Sequence, residues 1–257
     1  MPSYFPTAPQ PEPENKCPDC LSMKLDGIPG QPESLNYLGI LPISQPQPIH
    51  LHLSIHFNEQ WESLKQGRIK FGLKGGQLRL KLENAEIPYE SRQLSGSVEL
   101  TLETASQESE ESQEQTEGIL ATNSLFNPTK TLTGTNGFIE KSLGSSDKFE
   151  LSVCHITTKV SEENPAWVFE EEKGQPILKG FLNKAKLATL YAIAFPCHVE
   201  ATFEVSRRDV CLTDAEGLWP ADISRNKRAV LDRLIIQRLL EPKFKPYLSR
   251  AELHYDG

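Results

Sequence analysis

Apolar and polar residues alternate almost without interruption between residues 49 and 57. The apolar side chains are Ile49, Leu51, Leu53, Ile55 and Phe57, and the intervening ones are His50, His52, Ser54 and His56. Because successive side chains of an extended strand point to opposite faces, such a segment buries one face and exposes the other. The pattern predicts a strand of an antiparallel sheet, in which one face is commonly solvated.

Similar alternation recurs along the chain and predicts further strands. The alternating segments are residues 69–73, 78–82, 98–102, 149–160, 167–169, 199–205 and 210–212. Gly75-Gly76 lies between the first two of them and predicts a tight hairpin turn. The phase of the alternation changes near Cys154-His155, which predicts a β-bulge at that point.

Two segments have a helical period instead. Residues 182–195 fit a helix, with a hairpin that turns at Asn183-Lys184 as the alternative. Residues 224–241 predict a C-terminal amphipathic helix, with Asp222 or Ser224 as its cap and Pro242 as its end. We expect this helix to pack firmly on the sheet through its apolar residues, Val230, Leu231, Leu234, Ile235, Leu239 and Leu240.

Polar and proline-rich stretches suggest how the domain is organised. Residues 1–48 hold 11 of the 19 prolines and predict a mostly irregular tail. Residues 104–146 contain too few apolar groups to offset the entropy of ordering the backbone, and predict a flexible insertion. We therefore predict a mainly β (α+β) fold, namely one antiparallel β-sandwich over residues 49–257 with the C-terminal helix packed on it. Two separate β subdomains are the alternative.

Composition argues against several classes of protein. The chain has 257 residues and a net charge of −8, which disfavours generic binding to nucleic acid or to anionic membranes. We find no secretory signal pattern and no apolar run long enough to cross a bilayer. Five cysteines are an odd number in a chain large enough to fold without disulfides. These features predict a cytoplasmic protein with reduced thiols.

Histidines on the first strand provide one candidate metal site. His50 and His52 would place two imidazoles side by side on one strand face, with His56 further along it. Imidazole is a good zinc ligand, but a site needs a further ligand from a neighbouring strand. The carboxylates that could supply it are those of Glu83, Glu99 and Glu103. An ordinary solvated strand face explains the same residues without a metal.

The sequence Cys17-Pro18-Asp19-Cys20 provides a second candidate. One CxxC pair is half of a tetrahedral zinc site, and no second CxxC is present to complete it. A redox CxxC normally lies where a helix follows a strand, whereas this one lies in a proline-rich stretch. The simpler interpretation is an unliganded thiol pair in a mobile tail. Zinc is the one cofactor that the sequence suggests.

Charge is positive towards the C-terminus. Ten basic and six acidic residues lie between Val205 and Arg250. Five basic residues, on or just before the predicted helix, could contact phosphates or could form its salt-bridged solvent face: Arg225, Lys227, Arg228, Arg233 and Arg238. Four nearby carboxylates lack the spacing of a calcium-binding loop, and we interpret them as loop and helix-start charges: Asp209, Asp214, Glu216 and Asp222.

Recognised catalytic motifs are missing from the sequence. It contains no phosphate-binding glycine loop, no GxSxG motif, no dinucleotide fingerprint and no HExxH motif. This favours a non-catalytic interaction module over an enzyme, specifically a subunit or adaptor that binds a protein partner in a larger cytosolic assembly. One alternative is a metal-dependent enzyme that uses the His-x-His strand. Another is a nucleic-acid-associated accessory subunit that uses the basic C-terminal region.

Overall fold

The computed structural model describes residues 12–30, 47–102, 152–161, 164–220 and 222–256. Its first eight strands are β1 (Glu14–Asn15), β2 (Leu21–Pro29), β3 (Gln47–Phe57), β4 (Gln60–Leu64), β5 (Gly67–Leu73), β6 (Gly75–Glu83), β7 (Ala85–Glu86) and β8 (Gly96–Leu100). The later strands are β9 (Ser152–Lys159), β10 (Ala166–Glu171), β11 (Gly180–Ala192), β12 (Cys197–Glu204), β13 (Val210–Glu216) and β14 (Ser249–Tyr255). Helices α1 (Arg225–Ile235) and α2 (Glu241–Phe244) are joined by a π-helical turn, Ile236–Leu240. The predicted mainly β (α+β) class is confirmed.

The described strands form three antiparallel sheets. A seven-stranded sheet has the order β1-β14-β12-β6-β10-β9-β8, a four-stranded sheet the order β2-β3-β11-β7, and a three-stranded sheet the order β13-β5-β4. Phe57 of β3 contacts Phe169 and Phe203 of the seven-stranded sheet, with ring centroids 6.2 and 5.9 Å apart. The first two sheets therefore share a core, and strands on both sides of residues 103–151 contribute to it.

Part of the predicted N-terminal tail belongs to the folded domain, which corrects the prediction for residues 12–30. β2 pairs with β3 along its whole length, from Leu21 opposite Phe57 to Pro29 opposite Ile49. Its inward side chains Leu21, Met23 and Leu25 are buried. Proline removes a backbone donor but does not prevent pairing at a strand end, where Pro29 lies. The predicted insertion at 104–146 lies outside the described residues.

The predicted hairpin at Gly75-Gly76 is wrong. β5 pairs with β4 and β13, whereas β6 pairs with β10 and β12, so the chain passes from one sheet to another at Lys74. The glycines are needed for close approach. A Cβ on Gly75 would lie 2.2 Å from the carbonyl oxygen of Phe169, and one on Gly76 would lie 2.4 Å from the Phe203 ring.

Residues 180–192 form strand β11, so the predicted helix and the alternative hairpin are both wrong. The strand pairs with β3, and its register shifts between Leu182 and Ala185 and again between Lys186 and Ala188. Each bulge adds a residue and reverses which side chains face inward. Two such reversals in one strand replace the two-residue alternation with spacings that resemble a helical period.

The predicted bulge near Cys154-His155 is also wrong. β9 pairs with β8 and β10 in continuous register through both residues. The apparent change of phase has another cause, since Val153 and Cys154 point to opposite faces and both are buried.

The predicted C-terminal helix is confirmed, but its packing and its end differ from the prediction. Ser224 caps α1 by accepting a hydrogen bond from the Lys227 N–H. Helical backbone continues past Pro242, which lies in the first turn of α2, where its missing N–H is not needed. Of the six aliphatic residues expected to pack on the sheet, Leu240 is buried and Ile235 is partly buried against the core, while the other four are exposed. Ile236 and Phe244 are also buried.

Candidate functional site

The three histidines of β3 share a strand face, as predicted, but have separate neighbours. His50 Nδ1 lies 3.1 Å from the Thr189 hydroxyl, and the His56 ring packs edge-on against Phe181. Burial and the nearby Lys186 charge lower the pKa of His50, which favours its neutral form. In the described ranges these histidines do not converge with a third ligand atom within 4.8 Å. Among the described residues the strand therefore displays imidazoles without a three-ligand site, and Glu103, one of the expected carboxylates, lies outside the described residues.

The CxxC pair lies in the core instead of in a mobile tail. Cys17 and Cys20 are fully buried in a turn, where the Cys20 N–H donates to the Cys17 carbonyl oxygen. Burial raises the pKa of the Cys17 thiol to about 11 and raises that of Cys20 as well. Because nucleophilic attack needs a thiolate, two protonated, buried thiols are poorly suited to that role, and zinc ligation at this pair stays a prediction. Both cysteines contribute to packing as small apolar side chains.

The four carboxylates near Gly217 do not form a cluster. Asp209 accepts hydrogen bonds from the backbone and hydroxyl of Ser206, and Glu216 forms a two-point ion pair with Arg68. Asp209 is therefore a helix-start charge, as predicted, whereas Asp214 and Glu216 lie on strand β13 and not in a loop.

A His-Glu-His cluster that the sequence did not reveal lies on the outer face of the seven-stranded sheet. It consists of His198 on β12 with Glu252 and His254 on β14, and we call it the imidazole cluster. The His198 and His254 rings are stacked, with centroids 4.3 Å apart and planes inclined by 21°. Oε2 of Glu252 lies 3.5 Å from Nε2 of His198 and 3.2 Å from Nε2 of His254. Two imidazoles thus face one carboxylate oxygen.

Strand register explains this convergence. His198 pairs directly with His254 on β14 and with Glu83 on β6, while Glu200 pairs with Glu252. Side chains directly opposite one another in an antiparallel pair have Cβ atoms about 5 Å apart, within reach of imidazole and carboxylate groups. The alternation of Ala251, Leu253 and Tyr255 with polar residues is a sequence signal for strand β14. A single sequence does not show that β14 pairs with the distant strand β12.

Arg250 orients the carboxylate of the cluster. Its guanidinium contacts Oε1 of Glu252, and its Nε lies 3.1 Å from Oε1 of Glu200. Burial alone would raise the pKa of Glu252, but the hydrogen bond to His254 and the Arg250 charge outweigh it and lower the pKa. Glu252 is therefore an anion whose second oxygen, Oε2, faces the two histidines.

The C-terminal helix presents an exposed apolar surface, which we call the helix stripe: Val230, Leu231, Leu234 and Leu239. Val230, Leu231 and Leu234 are 60%, 37% and 39% exposed, and their spacing places them on one face of α1. Leu239, in the π turn, is 46% exposed. Of the nine large apolar side chains exposed in the described part of the chain, four lie in this stretch. Such clustering distinguishes the stripe from scattered surface apolar residues.

The predicted basic residues flank the helix stripe. Arg228 lies 4.0 Å from Asp232 and stands over the Trp219 ring. Within the described ranges, no carboxylate lies within 4.0 Å of the charged groups of four others, Arg225, Lys227, Arg233 and Arg238. The prediction of a salt-bridged solvent face therefore holds for Arg228 only.

Comparisons with known proteins do not identify this chain. No protein-family model matches it, and no curated protein matches it. The helical segments in the described ranges are too short or too polar to traverse a lipid bilayer.

Proposed function

We propose that this protein is a non-catalytic interaction module, a subunit or adaptor that uses the helix stripe to dock on a protein partner. The observation that carries the proposal is the exposure of Val230, Leu231 and Leu234 on one face of a helix whose opposite side is anchored by Ile236, Leu240 and Phe244. Apolar residues at this spacing are the usual anchors when a helix binds in a groove. Burying three aliphatic side chains favours association by about 1.5–3 kcal/mol each at most.

The charges beside the stripe indicate the chemistry of the partner. Lys227 and Arg238 lie one turn before and one turn after the aliphatic residues, and Arg233 lies between them. A groove that is apolar at its centre and carries carboxylates at its rim complements this arrangement. We therefore propose an acidic-rimmed hydrophobic groove on another protein as the docking site.

The test compares capture of proteins from an extract of the native host by three forms of the full chain. Leu231→Asp/Leu234→Asp places two charges in the stripe, and Val160→Asp is the matched control because Val160 is 81% exposed elsewhere. A partner retained by the unsubstituted and control forms is then purified and titrated. We expect the double substitution to weaken binding at least about 100-fold, since anchors near the centre of an interface dominate affinity, and the control to bind normally.

Several outcomes would contradict the proposal. One is equal affinity of the purified partner for the double variant and the unsubstituted chain. Another is an unsubstituted chain that retains no protein. Salt-dependent binding of an oligonucleotide, lost when Arg225, Lys227 and Arg233 are replaced by glutamine, would instead favour the nucleic-acid alternative. Thermal unfolding of each variant shows whether the domain remains folded.

A further inference from the structure

We propose that the imidazole cluster is a binding site for zinc or a similar divalent transition metal, with His198 and His254 as nitrogen ligands and Glu252 as oxygen ligand. This inference goes beyond the proposed docking function and does not depend on it. The cluster lies on β12 and β14, apart from the helix stripe. The site differs from both metal sites that the sequence suggested, the β3 histidines and the CxxC pair.

The spacing of the ligand atoms fits a zinc ion. Zinc bonds to imidazole nitrogen and carboxylate oxygen are about 2.0–2.2 Å, so neighbouring ligand atoms of a tetrahedral ion lie about 3.3–3.5 Å apart. Oε2 of Glu252 is 3.5 Å from Nε2 of His198 and 3.2 Å from Nε2 of His254. One ligand atom from each of the three residues can be chosen so that all lie within 4.8 Å of one another.

An unsatisfied nitrogen supports the assignment. Nε2 of His198 is inaccessible to solvent and has no hydrogen-bond partner among the described residues, since its 3.5 Å approach to Glu252 does not meet hydrogen-bond geometry. A buried polar atom without a partner costs free energy, and coordination of an ion is one recognised explanation for such an atom. A metal ion at this point would use the nitrogen lone pair and neutralise the Glu252 charge.

The surroundings resemble the outer shell of a metal site. Arg250 contacts the other oxygen of Glu252 and so acts as a positioning residue that directs Oε2 towards the histidines. Oε2 of Glu83 lies 3.8 Å from Nδ1 of His198, where a small movement makes the carboxylate–histidine hydrogen bond that commonly orients a metal-bound imidazole. Three protein ligands on a partly exposed face leave a fourth position open to water or to a ligand from another molecule.

Direct zinc titration of the purified full chain tests the site. Isothermal calorimetry measures stoichiometry and affinity, and Co²⁺ provides a second readout because its visible absorption reports coordination number and ligand type. We expect one equivalent of Zn²⁺, and an affinity at least about 100-fold weaker in His198→Ala and in His254→Ala, because each removes a direct ligand where even outer-shell changes cost 10–100-fold. Circular dichroism and thermal unfolding establish that the variants are folded.

Two further variants serve as matched controls. His52→Ala removes an imidazole from β3, and Cys17→Ser/Cys20→Ser removes the thiol pair. Both should bind Zn²⁺ as the unsubstituted chain does. The proposal is overturned if the chain binds no Zn²⁺, if the His198→Ala/His254→Ala double variant retains the full equivalent, or if a control abolishes binding. Loss of zinc binding would leave partner capture through the helix stripe unaffected, so the two proposals fail independently.

Discussion

Replacing Phe57 by alanine is expected to lower the free energy of unfolding by about 3–5 kcal/mol, a large fraction of the stability of a typical domain. Phe57 is 1% exposed, and its ring contacts Phe169 on β10 and Phe203 on β12. It is therefore one of the side chains through which the four-stranded sheet meets the seven-stranded sheet. Truncation to alanine removes the apolar surface that the ring buries and leaves a cavity between the two sheets. The sheets are held by their other contacts and cannot move together to fill it.

Urea unfolding monitored by tryptophan fluorescence measures this change, because Trp167 is buried in the same core. The control is Val160→Ala, which removes two methyl groups from an exposed side chain and should change the free energy of unfolding by no more than about 0.5 kcal/mol. If Phe57→Ala costs less than about 1.5 kcal/mol, the packing of the two sheets around this residue is looser than the structure indicates.

The parts of the fold that were predicted correctly are those in which one strand is regular and has one wet face. β3 and β12 alternate inward and outward residues in the sequence and in the structure. Where a strand is bulged or buried on both faces, the pattern misleads. β11 contains two register shifts, and β9 buries the consecutive residues Val153 and Cys154. In these strands, pairing with neighbouring strands overrides the two-residue alternation. Because the partner strand is distant in sequence, the residues of one strand alone do not show how it pairs.

Candidate sites were predicted less well than the fold, for a related reason. The histidines of β3 predicted a metal site because they are close in sequence, yet His50 contacts Thr189 and His56 contacts Phe181. His198 and His254 are 56 positions apart, and only the register of β12 on β14 makes them opposite one another. The zinc prediction for His50, His52 and His56 therefore stays a prediction, since no third ligand atom lies near them in the described part of the chain, whereas His198, Glu252 and His254 lie together.

The C-terminal helix shows how a correct element can have an incorrectly predicted environment. An apolar stripe usually faces the core, so packing of Val230, Leu231 and Leu234 on the sheet was the natural expectation. Here the core instead receives Ile236 and Leu240 from the π turn and Phe244 from α2. The sequence contains both apolar sets, but it does not show which of them a partner would cover.

Replacing Glu59 by glutamine is expected to lower the free energy of unfolding at pH 7 by about 2–3 kcal/mol. Its side chain is 11% exposed, and its carboxylate lies 2.5 Å from the Lys179 ammonium and 3.2 Å from that of Lys70 on β5. Burial alone would raise the pKa of Glu59, but hydrogen bonds and charge from Lys179 and Lys70 outweigh it and lower the pKa to about 2. Glutamine keeps the shape and leaves the half-buried Lys70 and the more exposed Lys179 without their counter-charge.

The lowered pKa also gives the direction of the pH dependence. The Glu59 carboxyl has a pKa of about 2 in the folded state and an ordinary value of 4.5 in the unfolded state. Between these two values the unfolded chain binds the proton more often than the folded chain does, so protonation favours unfolding. Its stabilising contribution is complete above the unfolded value and is lost as pH falls from about 4.5 towards 2. The difference between the unsubstituted chain and Glu59→Gln should therefore shrink to about 1 kcal/mol at pH 3.

Urea unfolding of both forms at pH 7 and pH 3 isolates this effect, because other carboxyl groups titrate equally in the two. Glu216→Gln is the matched control, since the Arg68–Glu216 pair has the same chemistry but both side chains are 51% exposed. Exposed pairs contribute about 0–1 kcal/mol, so this control should be nearly neutral at both pH values. A Glu59→Gln effect as small as that of the control, or one that grows as the pH falls, would show that the ion pairs of Glu59 with Lys70 and Lys179 do not hold β5 to the segment before β11.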